Sequence, residues 1–81
     1  MSPEHRNTLE QILAHPASGN VEWRRVRSLL AEVGEVTEED NRLRVTLGGE
    51  TEVLERPHGK DVDAQMIVDL RRMLTRAGLA Q

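Results

Sequence analysis

A glycine pair flanked by alternating sequences constrains the fold of this chain more than any other feature. Before Gly48-Gly49, charged or polar residues alternate with apolar ones: Arg42, Leu43, Arg44, Val45, Thr46 and Leu47. Because successive side chains of a β-strand point to opposite faces, this alternation predicts a strand with one apolar face. Glycine readily adopts the positive φ angles that tight hairpin turns require. We therefore predict that Glu50 to Arg56 returns as an antiparallel strand, which Pro57 ends because proline lacks an N–H group.

A helix is predicted after this hairpin, from Val62 to Ala77. Either Asp61 or Asp63 can serve as its N-cap, and Gly78 is the expected C-terminal cap. Its apolar residues recur at helical spacing: Val62, Met66, Ile67, Leu70, Met73, Leu74 and Ala77. This stripe predicts that one face of the helix packs on the sheet.

Two further helices are predicted before the hairpin. In the first, Ser2 is the N-cap, and His15-Pro16 marks the end because proline disfavours helical geometry in the preceding residue. The second is capped by Asn20 and ends at Gly34. Its apolar stripe is Trp23, Val26, Leu29, Leu30 and Val33. A partner-binding surface is the alternative interpretation of this stripe, but helical apolar stripes usually form a core.

A short strand at Val36 to Glu38 and a turn at Asp40-Asn41 complete the predicted elements. Their order, α-α-β-β-β-α, is that of an α+β fold with helices packed on one face of a three-stranded antiparallel sheet. A chain of 81 residues supports one small core, so we assign residues 1–81 to a single domain.

Composition narrows the range of functions. The chain has no cysteine, which excludes disulfides and cysteine metal sites and favours an intracellular setting. No apolar run is long enough to span a membrane, so we expect a cytoplasmic protein with no membrane partner. No histidine pair has the spacing of a metal-binding helix face, and neither a metal nor a cofactor is predicted. We place His5 and His15 on the surface or at a helix end.

The net charge of −3 makes the chain a poor generic ligand for nucleic acids unless its cations gather on one face. Trp23 is its single aromatic residue, so platforms for base stacking are also absent from the sequence. Any contact with RNA therefore has to rely on phosphates.

Residues 20–79 resemble the HicA family of type II toxin-antitoxin systems. The resemblance rests on the order of elements, on Arg56-Pro57-His58-Gly59-Lys60-Asp61 after the strands, and on a last helix that ends Arg76-Ala77-Gly78-Leu79. It implies a fold like that of double-stranded-RNA-binding domains, a metal-independent ribonuclease that cleaves mRNA, and a HicB-like antitoxin as partner. Residues 1–16 would then be an additional N-terminal helix.

The sequence departs from this family where its toxins carry the catalytic histidine of a Gly-Ser-His motif. Arg42 stands there instead. A guanidinium stays protonated in proteins, so it cannot take a proton from a ribose hydroxyl, although it can bind a phosphate. This departure favours a divergent or non-catalytic member of the family. His58 is the remaining candidate for catalysis, and the alternative is that it fixes its loop by hydrogen bonds.

Four cations are candidates for RNA binding: Arg42, Arg44, Arg56 and Lys60. One interpretation is a basic patch on the outer sheet face, formed by Arg42, Arg44 and Arg56 and extended by Lys60. The interpretation that we favour is an ordinary solvated salt-bridge face, in which these cations pair with Glu50, Glu52 and Glu55 across the hairpin. For the arginines at the end of the last helix, complementarity to the negative helix terminus accounts for the charge: Arg71, Arg72 and Arg76.

Two functions therefore follow from the sequence. One is a HicA-like toxin or RNA-binding protein, in which any surviving mRNA cleavage has to run through His58 or an unconventional site. The other is a non-catalytic interaction module on the same scaffold, which binds an antitoxin-like partner or self-associates as a homodimer. The apolar residues of the first helix, Leu9, Ile12 and Leu13, either thicken the core or form such a contact.

Overall fold

The computed structural model describes residues 1–14 and 20–79. Its elements are α1 (Pro3–Leu13), α2 (Trp23–Val33), β1 (Glu35–Glu39), β2 (Arg42–Leu47), β3 (Glu50–Glu55) and α3 (Ala64–Arg76). The strands form an antiparallel sheet with β2 in the centre. The predicted α+β class and the order α-α-β-β-β-α are confirmed. The predicted end of the first helix, at His15-Pro16, lies outside the described residues.

The glycine pair forms the predicted hairpin turn. Gly48 and Gly49 have φ angles of 55° and 86°, and Leu47 pairs with Glu50 on either side of them. Positive φ at both central residues is the signature of a type I′ turn, whose twist matches that of the flanking strands. In the turn between β1 and β2, Asp40 also has a positive φ, of 51°. Aspartate tolerates this conformation better than most residues.

All three helices pack on the same face of the sheet and contribute to one core. The sheet supplies Leu43, Val45, Leu47 and Leu54, all of them buried. The helices supply Ile12, Trp23, Val26, Leu29, Leu30, Ile67, Leu70, Met73 and Leu74. The interpretation of the α2 stripe as core is therefore confirmed. Leu9 packs at the margin of the same cluster, so Leu9 and Ile12 thicken the core, whereas Leu13 is half-buried outside it.

Helix α2 does not begin where the sequence indicated. Asn20 is not its N-cap; Glu22 precedes the first helical residue, and its side chain makes no capping hydrogen bond. Instead, the Trp23 N–H donates to the carbonyl oxygen of Lys60 at 2.7 Å. A backbone partner from a distant loop thus satisfies a helix N–H group that would otherwise need a side-chain cap.

Helix α3 begins at Ala64, two residues later than predicted, because Val62 is held in an extended segment. The Val62 N–H donates to the Val21 carbonyl at 2.9 Å, and Glu22 and Asp61 form an antiparallel bridge. Asp63 is the N-cap, with its side chain accepting from the Met66 N–H. Of the two predicted caps, Asp63 is therefore confirmed and Asp61 is wrong.

The end of α3 confirms the predicted glycine cap. Gly78 has a φ of 81°, and its N–H donates to Thr75 O at 3.0 Å. The N–H of Leu79 donates to Leu74 O at 2.9 Å. These two bonds form a Schellman motif, which satisfies carbonyls of the last helical turn.

Arg76 lies in the last turn of its own helix, as predicted, but the arginines of α3 also contact other elements, and Arg71 binds carbonyls at the end of α1 rather than that of α3. Arg71 donates from Nε to Ile12 O at 2.8 Å and also to the carbonyl of Ala14, which satisfies carbonyls at the end of α1. Arg72 contacts Glu52 at 3.2 Å, and Arg76 lies 3.7 Å from Glu50. These cations therefore tie α3 to α1 and to β3.

Gly34 ends α2 for a steric reason. Its φ of −155° is an extended conformation that any residue adopts, so no left-handed cap is involved. A methyl group at this position would overlap the Thr46 carbonyl oxygen and the side chain of Leu47. Only glycine allows the connection between α2 and β1 to approach β2 this closely.

We predict that Gly34→Ala destabilises the fold by about 2 kcal/mol, because overpacking a tight contact forces the backbone to shift. Urea denaturation followed by Trp23 fluorescence measures the free energy of unfolding. The matched control is Gly59→Ala, whose added methyl would meet no atom within 4 Å. Equal stability of the two variants would contradict the steric assignment of Gly34.

Across residues 1–14 and 20–79, no helix is long and apolar enough to cross a membrane.

Candidate nucleic-acid interface

An open groove of about 1110 Å³ lies where the turn between β1 and β2 meets the loop between β3 and α3. We call it the cationic groove. It is lined by Glu39, Asp40, Asn41, Arg42, Glu55, Arg56, Pro57, His58, Gly59 and Lys60. Its two walls are joined by a backbone hydrogen bond of 2.7 Å from the Arg56 N–H to the Asn41 carbonyl. The groove is therefore built from local turns that the sheet register holds together.

Backbone hydrogen bonds to the start of α2 hold the loop that carries His58 and Lys60. The extended segment Val21–Trp23 runs antiparallel to Lys60–Val62 and is bonded to it at both ends. Since these bonds use only backbone groups, the side chains of His58 and Lys60 remain exposed toward solvent. The loop is thus positioned without the participation of its histidine.

Three of the four cations predicted to bind RNA come together in this groove: Arg42, Arg56 and Lys60. Arg44 does not line it, and its guanidinium lies 3.3 Å from the Glu39 carboxylate. Within the described residues, none of the three groove cations has a carboxylate within 4.0 Å. The cations therefore gather at one end of the sheet rather than as a patch over its outer face.

The predicted pairing of these cations with the acids of β3 is wrong for Glu50 and Glu52. In the register, Arg42 lies opposite Glu55, whereas Glu52 lies opposite the buried Val45 and so shares its face. Both Glu50 and Glu52 contact arginines of α3 instead. Only Glu55 shares the outer face with Arg42, and the side chains of the two make no salt bridge.

The outer face of the sheet is polar and uncovered in the described structure. It carries acids and bases in alternation: Glu35, Glu39, Arg42, Arg44 and Glu55. Thr46 and Thr51 face each other across the hairpin with their hydroxyl oxygens 3.0 Å apart. The mixed charge of this face offers no extended surface for a polyanion.

His58 is exposed, and within the described part of the chain its ring makes no hydrogen bond or ion pair. The alternative that it fixes its loop is therefore not what the structure shows. Imidazole is the side chain that exchanges protons near neutral pH, and here it lies beside three cations that can hold a phosphate. Among the described residues, no group of three histidine or acidic side chains is placed to hold a metal ion.

A second polar cluster, which sequence reasoning missed, joins α1 to α2. His5 is half-buried rather than solvated, and its Nε2 lies 2.7 Å from Ser28 Oγ. Its Nδ1 lies 3.5 Å from a Glu32 carboxylate oxygen, within ion-pair distance but outside hydrogen-bond geometry. The spacing of Ser28 and Glu32, i and i+4 on one helix face, is the sequence signal that could have indicated it.

The order serine, histidine, glutamate is that of a hydrolytic triad, but this cluster lacks the rest of such a site. Ser28 lies inside α2, where backbone N–H groups are engaged in the helix and none is available to stabilise an oxyanion. The cationic groove does not include any residue of this cluster. We therefore assign it a structural role, in which the contact of His5 with Ser28 links α1 to α2.

We predict a coupling energy of about 1 kcal/mol between His5 and Ser28, the size expected for one neutral hydrogen bond. The measurement is a double-mutant cycle of His5→Ala and Ser28→Ala in urea denaturation. The control pairs Arg6→Ala with Ser28→Ala, because the side chain of Arg6 has no described partner. A coupling energy indistinguishable from that of this control pair would argue against the hydrogen bond between His5 and Ser28.

Comparison of the chain with protein-family models, with curated proteins and with solved structures finds no match. Its function is therefore argued from the cationic groove and from the sequence motif that lines it.

Proposed function

We propose that this chain binds RNA through the cationic groove, as a HicA-like component of a toxin-antitoxin system. The observation that carries the proposal is that Arg42, Arg56 and Lys60 line one groove together with His58, and that within the described residues none of these cations has a carboxylate within 4.0 Å. The family resemblance points to the same residues, since Arg56, His58 and Lys60 belong to its motif. In this proposal the protein acts on cytoplasmic mRNA, and a HicB-like antitoxin is its protein partner.

The distribution of ion pairs in the molecule supports this use of the groove. Counted over residues 1–14 and 20–79, six of the 11 lysines and arginines have a carboxylate within 4.0 Å: Arg24, Arg25, Arg27, Arg44, Arg72 and Arg76. Arg71 is engaged with carbonyls of α1, and Arg6 is alone on that helix. The other three all lie in the groove, so a phosphate can bind them without breaking an existing pair.

A site with three phosphate contacts is compatible with the negative net charge of the chain. The chain carries −3, and Glu39, Asp40 and Glu55 line the same groove, so long-range attraction to RNA is weak. Affinity must then come from short-range contacts between guanidinium or ammonium groups and phosphates. Such a site fits a short single-stranded segment better than a long duplex.

We predict that the affinity for single-stranded RNA falls with salt along a log–log slope of about −2, the value for three neutralised phosphates. Fluorescence anisotropy with a labelled oligoribonucleotide at several salt concentrations measures this slope. Arg56→Ala and Lys60→Ala should each make the slope shallower by about 0.7, because each removes one contact.

The matched control for these variants is Arg6→Ala. It removes the same charge from an exposed cation that has no described partner but lies on α1, away from the groove. Equal losses of affinity in all three variants would mean that net charge, rather than the groove, determines binding. Absence of any RNA binding at low salt would refute the proposed function.

We predict that the wild-type protein binds RNA without cleaving it, whereas Arg42→His gains cleavage. A guanidinium cannot act as a base toward a ribose 2′-OH, and an imidazole at this position of the groove can. Incubation of each protein with labelled RNA, together with growth of cells after induction, measures both outcomes. His58→Ala is the companion variant: wild-type cleavage that this change abolishes would contradict the prediction and assign catalysis to His58.

A further inference from the structure

A second groove, of about 530 Å³, lies on the other side of the loop that carries His58. It runs between the second half of β3 and the first half of α3, and we call it the acidic groove. Besides residues of the loop, it is lined by Val53, Leu54, Glu55, Asp61, Asp63, Gln65, Met66 and Asp69. It shares Arg56 and His58 with the cationic groove, but its aspartates and the edge of β3 have no role in the RNA proposal.

The acidic groove borders a free edge of the sheet. Strand β3 pairs only with β2, and Leu47 and Glu50 flank a two-residue turn, which makes them a hydrogen-bonded pair. The pattern then alternates along the hairpin, so the N–H and C=O groups of Thr51, Val53 and Glu55 point away from β2. No backbone group of the described residues bonds to them.

The acids of this groove exceed its cations, and two of them are uncompensated. Asp63 caps α3, and Asp69 contacts Gln65 and Arg72. Glu55 and Asp61, by contrast, have no Lys or Arg within 4.0 Å among the described residues. The Asp61 Oδ1 atom is buried without a hydrogen-bond donor, an arrangement that costs free energy unless a ligand supplies one.

Apolar contacts for a strand-like ligand are also present. Val53 is 50% exposed on the outer sheet face, which gives the edge strand an exposed apolar side chain. Met66, half-buried, lies on the groove side with Pro57. Side chains of an added strand would alternate between these two faces, as they do in any β-strand.

We propose that this edge binds an extended segment of a partner protein that carries lysine or arginine, and that the segment adds to β3 as a fourth strand. The unpaired backbone groups supply affinity, as in other cases of strand addition, and Asp61 and Glu55 select a cationic side chain. An RNA phosphate is disfavoured here by the same two carboxylates. A second copy is disfavoured as well, because β3 edges would bring Glu50, Glu52 and Glu55 of two chains together.

The test uses a short capped peptide of alternating lysine and valine as a probe. We expect it to bind the full chain and to shift the NMR amide signals of Thr51, Val53 and Glu55. A peptide of alternating glutamate and valine should not bind. Methylation of alternate backbone nitrogens in the lysine peptide should weaken binding by about tenfold or more, because it removes the donors of the added strand.

Variants of the protein distinguish strand addition at the acidic groove from non-specific electrostatic attraction between the cationic peptide and the acidic protein. Asp61→Asn and Glu55→Gln preserve shape and should each weaken binding of the lysine peptide by about tenfold. Glu35→Gln removes the same charge from the outer face of β1 and should leave the affinity unchanged. Full binding of the methylated peptide, or equal effects of all three variants, would overturn the proposal, as would a β3-mediated dimer detected by light scattering. Asp61→Asn leaves the three groove cations in place, so a failure of RNA binding and a failure of peptide binding are distinguishable.

Discussion

The arrangement of this molecule depends on one backbone pairing between segments that are far apart in sequence. Val21–Trp23 and Lys60–Val62 run antiparallel, joined by hydrogen bonds of 2.7 Å and 2.9 Å. This pairing satisfies the first N–H of α2, delays the start of α3, and holds the loop that separates the cationic and acidic grooves. Because it uses backbone atoms alone, the side chains of the loop are free to face solvent, which is the condition for a binding site there.

Contacts between distant segments also attach α3 to the rest of the fold. Arg71 donates to carbonyls at the end of α1, while Arg72 and Arg76 contact acids of β3, so α3 contacts both its neighbours through its cations. The register of the hairpin places those acids on the same sheet face as the helices, opposite to Arg42. In the described structure, Arg42, Arg56 and Lys60 have no carboxylate within 4.0 Å, although the chain carries more acids than bases and Glu39, Asp40 and Glu55 line the same groove. The availability of the groove cations is thus a consequence of strand register together with the attachment of α3.

Local sequence patterns predicted the elements well because their causes are local. Alternation around Gly48-Gly49 and helical spacing around Leu70 depend on near neighbours in the chain. The errors at Asn20, Val62 and Arg71 share a different cause, since each concerns a backbone group whose partner is distant in sequence. Of the candidate site, the motif identified most of the groove cations, but the free amides of β3 follow from the strand order and could not be predicted from composition.

The two grooves share the loop from Arg56 to Gly59 as a common wall, and this has a thermodynamic consequence. A ligand that orders the loop from one side changes the cost of binding on the other, and this coupling is reciprocal. The charges of the two ligands also favour joint binding. A bound phosphate and a bound lysine or arginine attract each other when they lie within a Debye length. Under the two proposals taken together, an RNA in the cationic groove and a basic strand on β3 therefore stabilise each other's binding rather than compete.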